Sequence, residues 1–482
     1  MPCTAFQSNL TAREQARFLY DTIPPGLFRV EEDADGKIPW RIAPEPFALS
    51  PSTYDSIVSL GNDLLAFYRA LNALYNRSAR GTAPAFIAEY LEQGKPEHIV
   101  RLMRQNRLRS ELPGVIRPDL ILTEDGFTAS ELDSVPGGMG FTGAMADAYC
   151  RLGIESAGGV GGIEQGFAAM LKAVTGSENP VVAIVVSEES KDYRPEMTWL
   201  AESLRVRGIL TAHVCAPGDI IFTEDALFVR LQEGREEKID AIYRNFELFD
   251  LLNIAKQDLV LYAVRHNRVK MTPPPKAQLE EKLAFALFHH PALASLWKAE
   301  LGRQGVQIYE RLRAIFPQTW IIDPRPLPPQ AVIPGLTVNG DPVTDFMQLA
   351  ALGKSERDFV VKPSGFSELA WGSRGVKVAN DLPKEEWTAT LRDALAEFAR
   401  TPRILQRFHK GRRLRQAYYD RAADDVKTFD GRVRLCPYYF VVNDEARLGG
   451  ILATVAPADK RLIHGMTDAV LSSCVVKPDG GA

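Results

Sequence analysis

The chain has 482 residues, and its 57 basic and 61 acidic side chains leave a net charge of -4. This balance argues against nucleic-acid binding through a broad basic surface, and 45% hydrophobic with 24% charged residues is ordinary for a globular protein. No segment approaches the ~20 apolar residues of a membrane span, and the N-terminus lacks the apolar core of a signal peptide. We therefore expect a cytoplasmic protein without membrane association.

The five cysteines are scattered along the chain and include no CxxC pair. A sparse and odd cysteine count favours a reducing compartment over a disulfide framework. We therefore expect no disulfide framework to hold this fold together.

Residues 1–110 are predicted to form a mixed, mostly helical N-terminal segment. Apolar residues recur every three or four positions over 53–75, which predicts an amphipathic helix, and shorter helices are expected near 12–20 and 97–108. Two apolar-alternating runs, 115–121 and 127–132, then flank an Asp-Gly turn. This pattern predicts a β-hairpin, and a helix is expected at about 143–152.

The remaining chain predicts two further kinds of structure. Four strands near 181–186, 209–214, 226–231 and 238–243, with a helix after the first, indicate an open α/β sheet whose ligand lies at the carboxyl ends of the strands. A helical stretch, 277–315, and a proline-rich linker follow. The last part alternates short strands with one helix, as in an α+β unit. We divide the chain into the segments 1–110, 111–179, 180–270, 271–335 and 336–482.

The hairpin carries the strongest chemical signal. Arg117 and Asp119 share one strand face, and Glu131 and Asp133 share another, because side chains two apart point the same way. Three carboxylates that converge repel one another, and a cation such as Mg²⁺ is a natural reason to gather them. Arg117 is then available to phosphate groups. A solvated hairpin with cross-strand ion pairs explains the same residues equally well.

A second signal follows the predicted strand at 359–362. Lys362 ends this strand, and a glycine-bearing loop follows it. Backbone N–H groups of such a loop are suited to polyphosphate, with Lys362 as a point charge. A surface hairpin with a lysine that reaches into solvent is the competing interpretation. The loop residues concerned are Gly372, Ser373, Arg374 and Gly375.

Two weaker signals concern a purine and a substrate. The strand at 404–408 is a candidate to present Gln406, Arg407 and Phe408 to an adenine, although a merely buried strand is favoured on its own. Arg244 ends a strand of the open α/β region, and Arg194 follows another. Both positions suit a substrate contact, and a surface Arg–Glu pair is an equally good explanation of Arg244.

The glycine-rich segment 158–162 resembles a dinucleotide-binding loop but follows a predicted helix where a strand is required. We interpret it as a connection between helices, which removes most of the support for a Rossmann oxidoreductase. The sequence contains neither a Walker A motif nor a Gly-x-Ser-x-Gly elbow, so P-loop and serine-hydrolase chemistry have no support.

Taken together, these elements resemble the circularly permuted ATP-grasp ligases, in particular the synthetase part of glutathionylspermidine synthase. In that family an Arg-x-Asp is followed by a Glu-x-Asn, and here Arg117, Asp119 and Glu131 match, with Asp133 in place of the asparagine. Lys362-Pro363 and the loop up to Gly375 match more loosely. The resemblance covers roughly residues 110–460 in order.

The resemblance implies an ATP-grasp-like nucleotide-binding fold with an associated open α/β domain. It also implies an ATP- and Mg²⁺-dependent carboxylate–amine ligase that acts on small molecules through an acyl phosphate. Asp119, Glu131 and Asp133 would hold the metal, and Arg117 would contact the acyl phosphate. The family also places an arginine near Thr454, where Arg434 or Lys460 is the candidate substitute. An ATP-binding protein that has lost turnover is the alternative function.

Overall fold

The computed structural model describes residues 3, 10–28, 40–133, 135–231, 234–463 and 468–478, without the side chains of residues 28 and 371–373. Its α-helices are α1 (Ala12–Thr22), α2 (Pro51–Ser78), α3 (Ala85–Glu92), α4 (Glu97–Met103), α5 (Met139–Arg151), α6 (Gly162–Thr175), α7 (Arg194–Val206), α8 (Gln257–Arg265), α9 (Leu283–His289), α10 (Ala294–Glu300), α11 (Gly305–Ile315) and α12 (Lys384–Ala396).

The strands alternate with these helices along the whole chain. They are β1 (Trp40–Ile42), β2 (Phe47–Leu49), β3 (Val115–Thr123), β4 (Gly126–Asp133), β5 (Val181–Val186), β6 (Thr211–Cys215), β7 (Ile220–Phe222), β8 (Leu227–Arg230), β9 (Glu236–Lys238), β10 (Ala241–Asn245), β11 (Lys270–Thr272), β12 (Thr319–Ile322), β13 (Thr337–Val338), β14 (Asp341–Pro342), β15 (Phe359–Pro363), β16 (Lys377–Val378), β17 (Arg403–Arg407), β18 (Leu414–Asp420), β19 (Asp425–Val442), β20 (Glu445–Pro457) and β21 (Ala469–Val476). The expected mixture of helices and strands is confirmed.

The largest sheet in the described part of the chain joins distant parts of the sequence. Its strand order is β1-β21-β20-β19-β3-β4, and β2 and β18 pair with β21 and β19 at its margins. The long strands β19 and β20 pair antiparallel beside the hairpin of β3 and β4. Strands from the segments 1–110, 111–179 and 336–482 therefore form one sheet, while the five-segment division itself stays a prediction.

Helices cover both faces of this sheet. The apolar positions of α2, among them Ile57, Leu60 and Leu64, are buried in one core with the residues of β19 and β20 that face it. The helices α5, α6 and α7 bury the opposite face in a second core. Gly61 in α2 permits the close approach, because a Cβ there would lie 2.6 Å from the Tyr439 ring.

The predicted open α/β sheet is present between the two halves of the sequence. Its strands are all parallel and run in the order β11-β10-β5-β6. The run predicted at 226–231 is not part of it, since β8 pairs antiparallel with β7 and β9 in a separate small sheet. A further antiparallel sheet has the order β12-β17-β15-β16 and packs against α12 around Trp387.

Two sequence expectations need correction. The segment 1–110 is predicted to be mostly helical, but it also contains the strands β1 and β2, which extend the main sheet at β21. The stretch 277–315 is not one continuous helix. Pro291, which has no N–H to donate, stands where α9 has ended, and Gly302, at a φ of 86°, follows the end of α10.

The other expectations for this region concern the glycines and the cysteines. The segment 158–162 does connect α5 to α6, as predicted, and it packs against the backbone of Gly449. The expectation about disulfides is wrong for one pair, because Cys3 and Cys150 are bonded in the structure. Cysteine spacing carries no signal for a pairing between residues that the fold alone brings together.

Candidate ligase site

The predicted β-hairpin carries its four charged side chains together. β3 and β4 pair with Arg117 opposite Asp133 and with Asp119 opposite Glu131. Residues two apart on a strand point to the same side of a sheet, so one guanidinium and three carboxylates project together. A bulge between Asp119 and Leu120 shifts the register just beyond this group. Local strand pairing is therefore sufficient to assemble it.

Protein cations pair with two of these carboxylates from within the sheet. Arg117 bonds to Asp133, and its Nη2 lies 3.1 Å from Asp119 Oδ1. Arg434, on β19, donates from Nη1 to Asp119 Oδ2 at 2.8 Å. The Nε–H groups of both arginines are buried and have no hydrogen-bond partner among the described residues. Buried donors of this kind call for a ligand, an ion or a water.

Two lysines approach the same group from other elements. Lys282, just before α9, places Nζ 2.6 Å from Glu131 Oε1. Lys362, on β15, donates from Nζ to the Ser130 carbonyl at 2.7 Å. Burial lowers the pKa of Lys362, whereas Glu131 more than offsets the effect of burial on Lys282, whose pKa is raised. The site therefore holds four basic side chains around three acidic ones.

The pKa shifts show which carboxylate the protein neutralises least. Burial alone would raise the pKa of Asp119, but Arg117 and Arg434 more than offset it, and the pKa is lowered. The pKa of Glu131 is lowered against the effect of burial, mainly by Lys282. Burial raises the pKa of Asp133 despite Arg117, and the neighbouring carboxylates add to the shift. Of the three hairpin carboxylates, only Asp133 therefore has a raised pKa, with burial as the main cause.

Two cavities meet at this cluster. The main cavity has a volume of about 510 Å³ and is lined by all four hairpin charges together with Arg434 and Lys282. A smaller cavity of about 100 Å³ contains Lys362 in its wall. Asp119, Glu131 and Arg434 line both cavities. A ligand that occupied the two together would therefore pass directly over these three side chains.

The predicted phosphate loop lies against the main cavity, to which Gly365, Ala370 and Arg374 contribute. The loop is partly ordered as a 3₁₀ helix, Glu368–Ser373, so Gly372 and Ser373 belong to this helix and their side chains lie outside the described residues. The backbone of Gly375 closes the turn by donating to the Leu369 carbonyl. Arg374 pairs with Glu189 at 3.1 Å.

The predicted adenine strand is β17, and its residues divide between two faces. Gln406 pairs with Val360 in the register that also places Lys362 on its face, and it lines the smaller cavity. The guanidinium of Arg407 lies instead over the Phe359 ring, 4.5 Å from its centroid. Phe408 lines the smaller cavity at the end of this strand. All three residues of the predicted set line the smaller cavity, and their contact with an adenine stays a prediction.

The two arginines predicted to contact a substrate are engaged elsewhere. Arg244 is fully buried and bonds to Glu280 and to the Phe246 carbonyl. Arg194 donates from Nη2 to the Val186 carbonyl at the end of β5. Among the residues that line the main cavity in the described chain, neither arginine is included. Glu280, which does line it, connects Arg244 to the cavity indirectly.

Three consecutive residues, 280–282, bind side chains of the site, and no sequence pattern indicates this. Glu280 bonds to Arg244, and Lys282 bonds to Glu131. Between them, Glu281 accepts from Ser364 Oγ at 2.7 Å and from Lys95 Nζ at 2.6 Å. The side chains of Lys95 and Glu281 are completely buried. An Glu-Glu-Lys run ahead of a helix is ordinarily a solvated surface, so only the fold reveals this function.

The arginine that the family resemblance places near Thr454 has a counterpart. Thr454 stands opposite Arg434 in the pairing of β20 with β19. Its hydroxyl is buried and has no hydrogen-bond partner in the described part of the chain. Lys460 is exposed and lines neither of the two cavities. Of the two candidate substitutes, Arg434 is therefore the one that projects into the site.

The three hairpin carboxylates do not form a ready metal cluster. Within the described residues there is no group of three or more histidine, cysteine or acidic side chains placed to hold an ion. Both oxygens of Asp119 and one oxygen of Glu131 already bond to cations. The donor chemistry still suits Mg²⁺, because this ion commonly takes only one or two carboxylates and completes its shell with waters and phosphates.

Comparison with known proteins identifies the fold. No protein-family model matches the sequence, and no curated protein matches it. The structure is similar to a glutathione synthetase-like effector from Globodera pallida in its apo form, with a TM-score of 0.58 and 11% identity over 97% of this chain and 96% of that one. This likeness confirms the predicted ATP-grasp-type α/β fold and, at such identity, nothing beyond the fold.

A second solved structure aligns less well. It is a candidate gamma-glutamylcysteine synthetase from Methylobacillus flagellatus, with a TM-score of 0.39 and 12% identity over 89% of each chain. We draw no argument from an alignment of this quality. Separately, none of the helices in the described residues is both long and apolar enough to cross a lipid bilayer.

Proposed function

We propose that this protein is an ATP-dependent ligase that joins a small-molecule carboxylate to an amine. One observation carries the proposal: Arg434, Asp119 and Glu131 stand where the two cavities meet, with Arg117 and Lys362 on either side. A nucleotide in one cavity and an acid in the other would bring their reacting groups to this junction. The ATP-grasp-type fold supports the same assignment, and the neighbour's description as synthetase-like agrees with it.

We place the adenine in the smaller cavity and the phosphates toward the junction. The wall of this cavity combines apolar Val360 and Phe408 with Gln406, as a purine requires, and Lys362 stands at its inner side. The ammonium of Lys362 would contact the phosphates as a point charge. The backbone of the loop from Gly372 to Gly375, with Arg374, would cover them. Lys362 is buried, and the lower dielectric constant of a buried site strengthens its attraction for anions.

Magnesium would enter with the triphosphate. Glu131, Asp133 and Asp119 are the residues that would hold it, and one oxygen of Glu131 has no cationic partner among the described residues. When bound, the ion neutralises charge on the transferred phosphoryl group. Arg117 and Arg434 already pair with both oxygens of Asp119. Asp119 would therefore have to release an arginine to bind the metal, or would bind it only weakly.

The protein residues supply the electrostatics of the proposed two-step reaction. An oxygen of the substrate carboxylate attacks the γ-phosphorus, the bond to the β-phosphate oxygen breaks, and ADP leaves. Arg117 and Arg434 are placed to stabilise the resulting acyl phosphate. The amine nitrogen then attacks the acyl carbon, phosphate leaves with the electron pair, and the nitrogen loses a proton to give the amide.

The finer features of the assignment rest on sequence resemblance. We propose a circularly permuted, glutathionylspermidine synthase-like ligase because Arg117, Asp119 and Glu131 occupy the matching motif positions. Small-molecule substrates and a cytoplasmic location belong to the same proposal, and an effect of Arg244 on the substrate would act through Glu280, which lines the main cavity.

A nucleotide-binding protein without turnover is the second candidate. Its support is the pairing of Arg117 and Arg434 with Asp119, which leaves that carboxylate without a free oxygen for a metal. The two candidates share nucleotide binding and differ in catalysis. Only the first releases ADP in a manner that depends on both an acid and an amine.

The decisive experiment incubates the purified chain with Mg-ATP and a panel of acid and amine pairs. ADP release and amide formation are measured together, with omission of acid, amine or metal as controls. The ligase proposal predicts stoichiometric ADP and amide for at least one pair. Tight ATP binding without any ADP would favour the second candidate, and no ATP binding at millimolar concentration would contradict both.

A further inference from the structure

The floor of the main cavity is one face of the main sheet. The strands cross it in the order β4, β3, β19, β20, β21 and β1. Arg434 stands opposite Thr454, and Thr454 stands opposite Leu471. On the next strand Ile42 pairs with Leu471, so Trp40, two residues away, projects from the same face. The side chains along this row therefore meet a bound ligand in a fixed sequence.

The side chains that form the floor are mostly charged on one side and mostly apolar on the other. The strands β4, β3 and β19 line the cavity with the four hairpin charges and Arg434, and with one apolar residue, Leu132. The strands β20, β21 and β1 present Leu452, Leu471 and Trp40. Thr454 lies at the boundary. An ionic half and an apolar half are thus joined side by side in one cavity.

The apolar half is enclosed on more than one side. Phe141, near the start of α5, lines the cavity there, and its ring centroid lies 5.4 Å from that of Trp40. Leu27 contributes from the N-terminal part of the chain. Phe141, Leu452 and Leu471 are buried. Glu196 also lines the cavity, and its carboxylate accepts from the N–H groups of Gly138 and Gly140 beside Phe141. Phe141, Leu452 and Leu471 offer no hydrogen-bonding side-chain group, so a polar ligand group placed over them would lose hydration without compensation.

We infer that the acid substrate of the proposed ligase is a carboxylate with an apolar body, such as an aryl or alkyl acid. Its carboxylate would lie between Arg117 and Arg434, and its body would extend over Leu452 and Leu471 toward Trp40. Burial of apolar surface and pairing of the carboxylate then act on opposite ends of one molecule. This inference rests on the proposed function, since it names the substrate class of the same site.

The unpartnered hydroxyl of Thr454 refines this substrate class. Thr454 Oγ1 is buried and lies between the two halves. An arginine at this position would extend a guanidinium over Leu452 and Leu471 and would favour a second anionic group. Threonine instead adds no charge beside Leu452 and Leu471. Thr454 is therefore expected to influence substrate choice.

The test compares probe acids by isothermal titration into the intact protein, with Mg²⁺ and a non-hydrolysable ATP analogue present. The probes are 3-phenylpropanoate and hexanoate, each with one carboxylate and an apolar body, and glutarate, with a second carboxylate. We expect the first two to bind at least roughly tenfold more tightly than glutarate, because only they match the apolar half. Equal binding, or a preference for glutarate, would overturn the inference.

Variants locate the preference within the cavity. Leu452→Asn keeps the size of the side chain but removes its apolar character, and it should abolish most of the preference for phenylpropanoate. Thr454→Arg should shift the preference toward glutarate. Leu252→Asn changes an exposed leucine, 59% accessible, and should leave both affinities unchanged. If Leu452→Asn does not fold, the wild-type preference and Thr454→Arg still decide the question.

Failure of this inference can be distinguished from failure of the proposed function. If phenylpropanoate binds with the expected preference but no amine produces ADP, the cavity assignment stands and the ligase proposal is wrong. If ADP is released only with polar acids, the ligase proposal stands and the apolar substrate class is wrong.

Discussion

Lys282 Nζ lies 2.6 Å from Glu131 Oε1, so a protein ammonium occupies the position beside this carboxylate that a metal would take. The two residues come from different elements, β4 and the segment before α9. Their contact keeps Glu131 ionised in a buried setting, and it makes metal binding at Glu131 a competition with Lys282.

Lys282→Met is expected to expose this competition. Loss of the ammonium leaves Glu131 without its partner and should lower the free energy of unfolding by on the order of 1–2 kcal/mol without metal. Added MgCl₂ should then raise the melting temperature of the variant more than that of the wild type. Lys298→Met removes a lysine from a pair with Glu310 outside the cavity and serves as the control. If MgCl₂ raised the melting temperatures of Lys282→Met and the wild type equally, a metal site at Glu131 would be contradicted.

Glu281 should matter for both stability and nucleotide binding. Its carboxylate anchors Ser364 and the Gly365 N–H, and its pair with Lys95 is fully buried. Glu281→Gln leaves the Lys95 charge uncompensated and is expected to lower the unfolding free energy by about 3–5 kcal/mol. The affinity for an ATP analogue should also fall, since Gly365 lines the main cavity.

Denaturant unfolding and calorimetry measure these two effects of Glu281→Gln. The double variant with Lys95→Met should recover part of the lost stability, because the unpaired charge is gone. Glu97→Gln, in an exposed pair with Arg101, should change the unfolding free energy by less than about 1 kcal/mol. Recovery of stability in the double variant with unaltered nucleotide affinity throughout would show that the pair has no influence on the site.

Arg434 is expected to act in catalysis rather than in folding alone. Arg434→Met should reduce the rate of ADP release by roughly 100-fold or more, as loss of a charge-stabilising donor typically does. Arg434→Lys should restore part of the rate, because the positive charge returns. The KM for ATP should change less than kcat. A full rate in Arg434→Met would remove this residue from the proposed mechanism.

Acid should destabilise the fold through His289. Burial lowers the pKa of His289 to about 4 from its usual 6.5. The folded state therefore keeps the ring neutral while the unfolded chain takes up a proton, and the associated stability is complete above pH 6.5 and is lost as the pH falls toward 4. The loss is at most about 3 kcal/mol.

The slope of unfolding free energy against pH between 6.5 and 4 measures the contribution of His289. His289→Gln keeps a donor for the Phe316 carbonyl, to which the ring now bonds at 3.1 Å, and should flatten the slope. His266→Gln, at an exposed position, should leave it unchanged. Identical slopes in all three proteins would contradict the role assigned to His289.

Local sequence patterns were sufficient for much of the site. The alternation on either side of an Asp-Gly turn predicts the hairpin, and the two-residue spacing of Arg117 with Asp119 predicts a shared face. Lys362 was recognisable because it ends an apolar strand. These features depend on contacts within short segments, where periodicity and turn chemistry determine the structure.

The rest of the site depends on contacts that no local pattern encodes. Arg434 reaches Asp119 across a sequence separation of 315 residues, and Lys282 reaches Glu131 from a segment that reads as helix. The same holds for β1, which has three residues and belongs to the main sheet only through its parallel pairing with β21. The burial of Arg244 and its pair with Glu280 could not be predicted either, because a strand end does not reveal what packs on it.

The most direct test of the account is calorimetric titration of a non-hydrolysable Mg-ATP analogue into the wild type and Lys362→Met. The account predicts one binding site in the wild type and an affinity at least about tenfold lower in the variant, because a charged hydrogen bond contributes roughly 1.5–3 kcal/mol. Lys354→Met, at an exposed position away from both cavities, should bind as the wild type does. Equal affinity in Lys362→Met, or no binding by the wild type, would contradict the central claim.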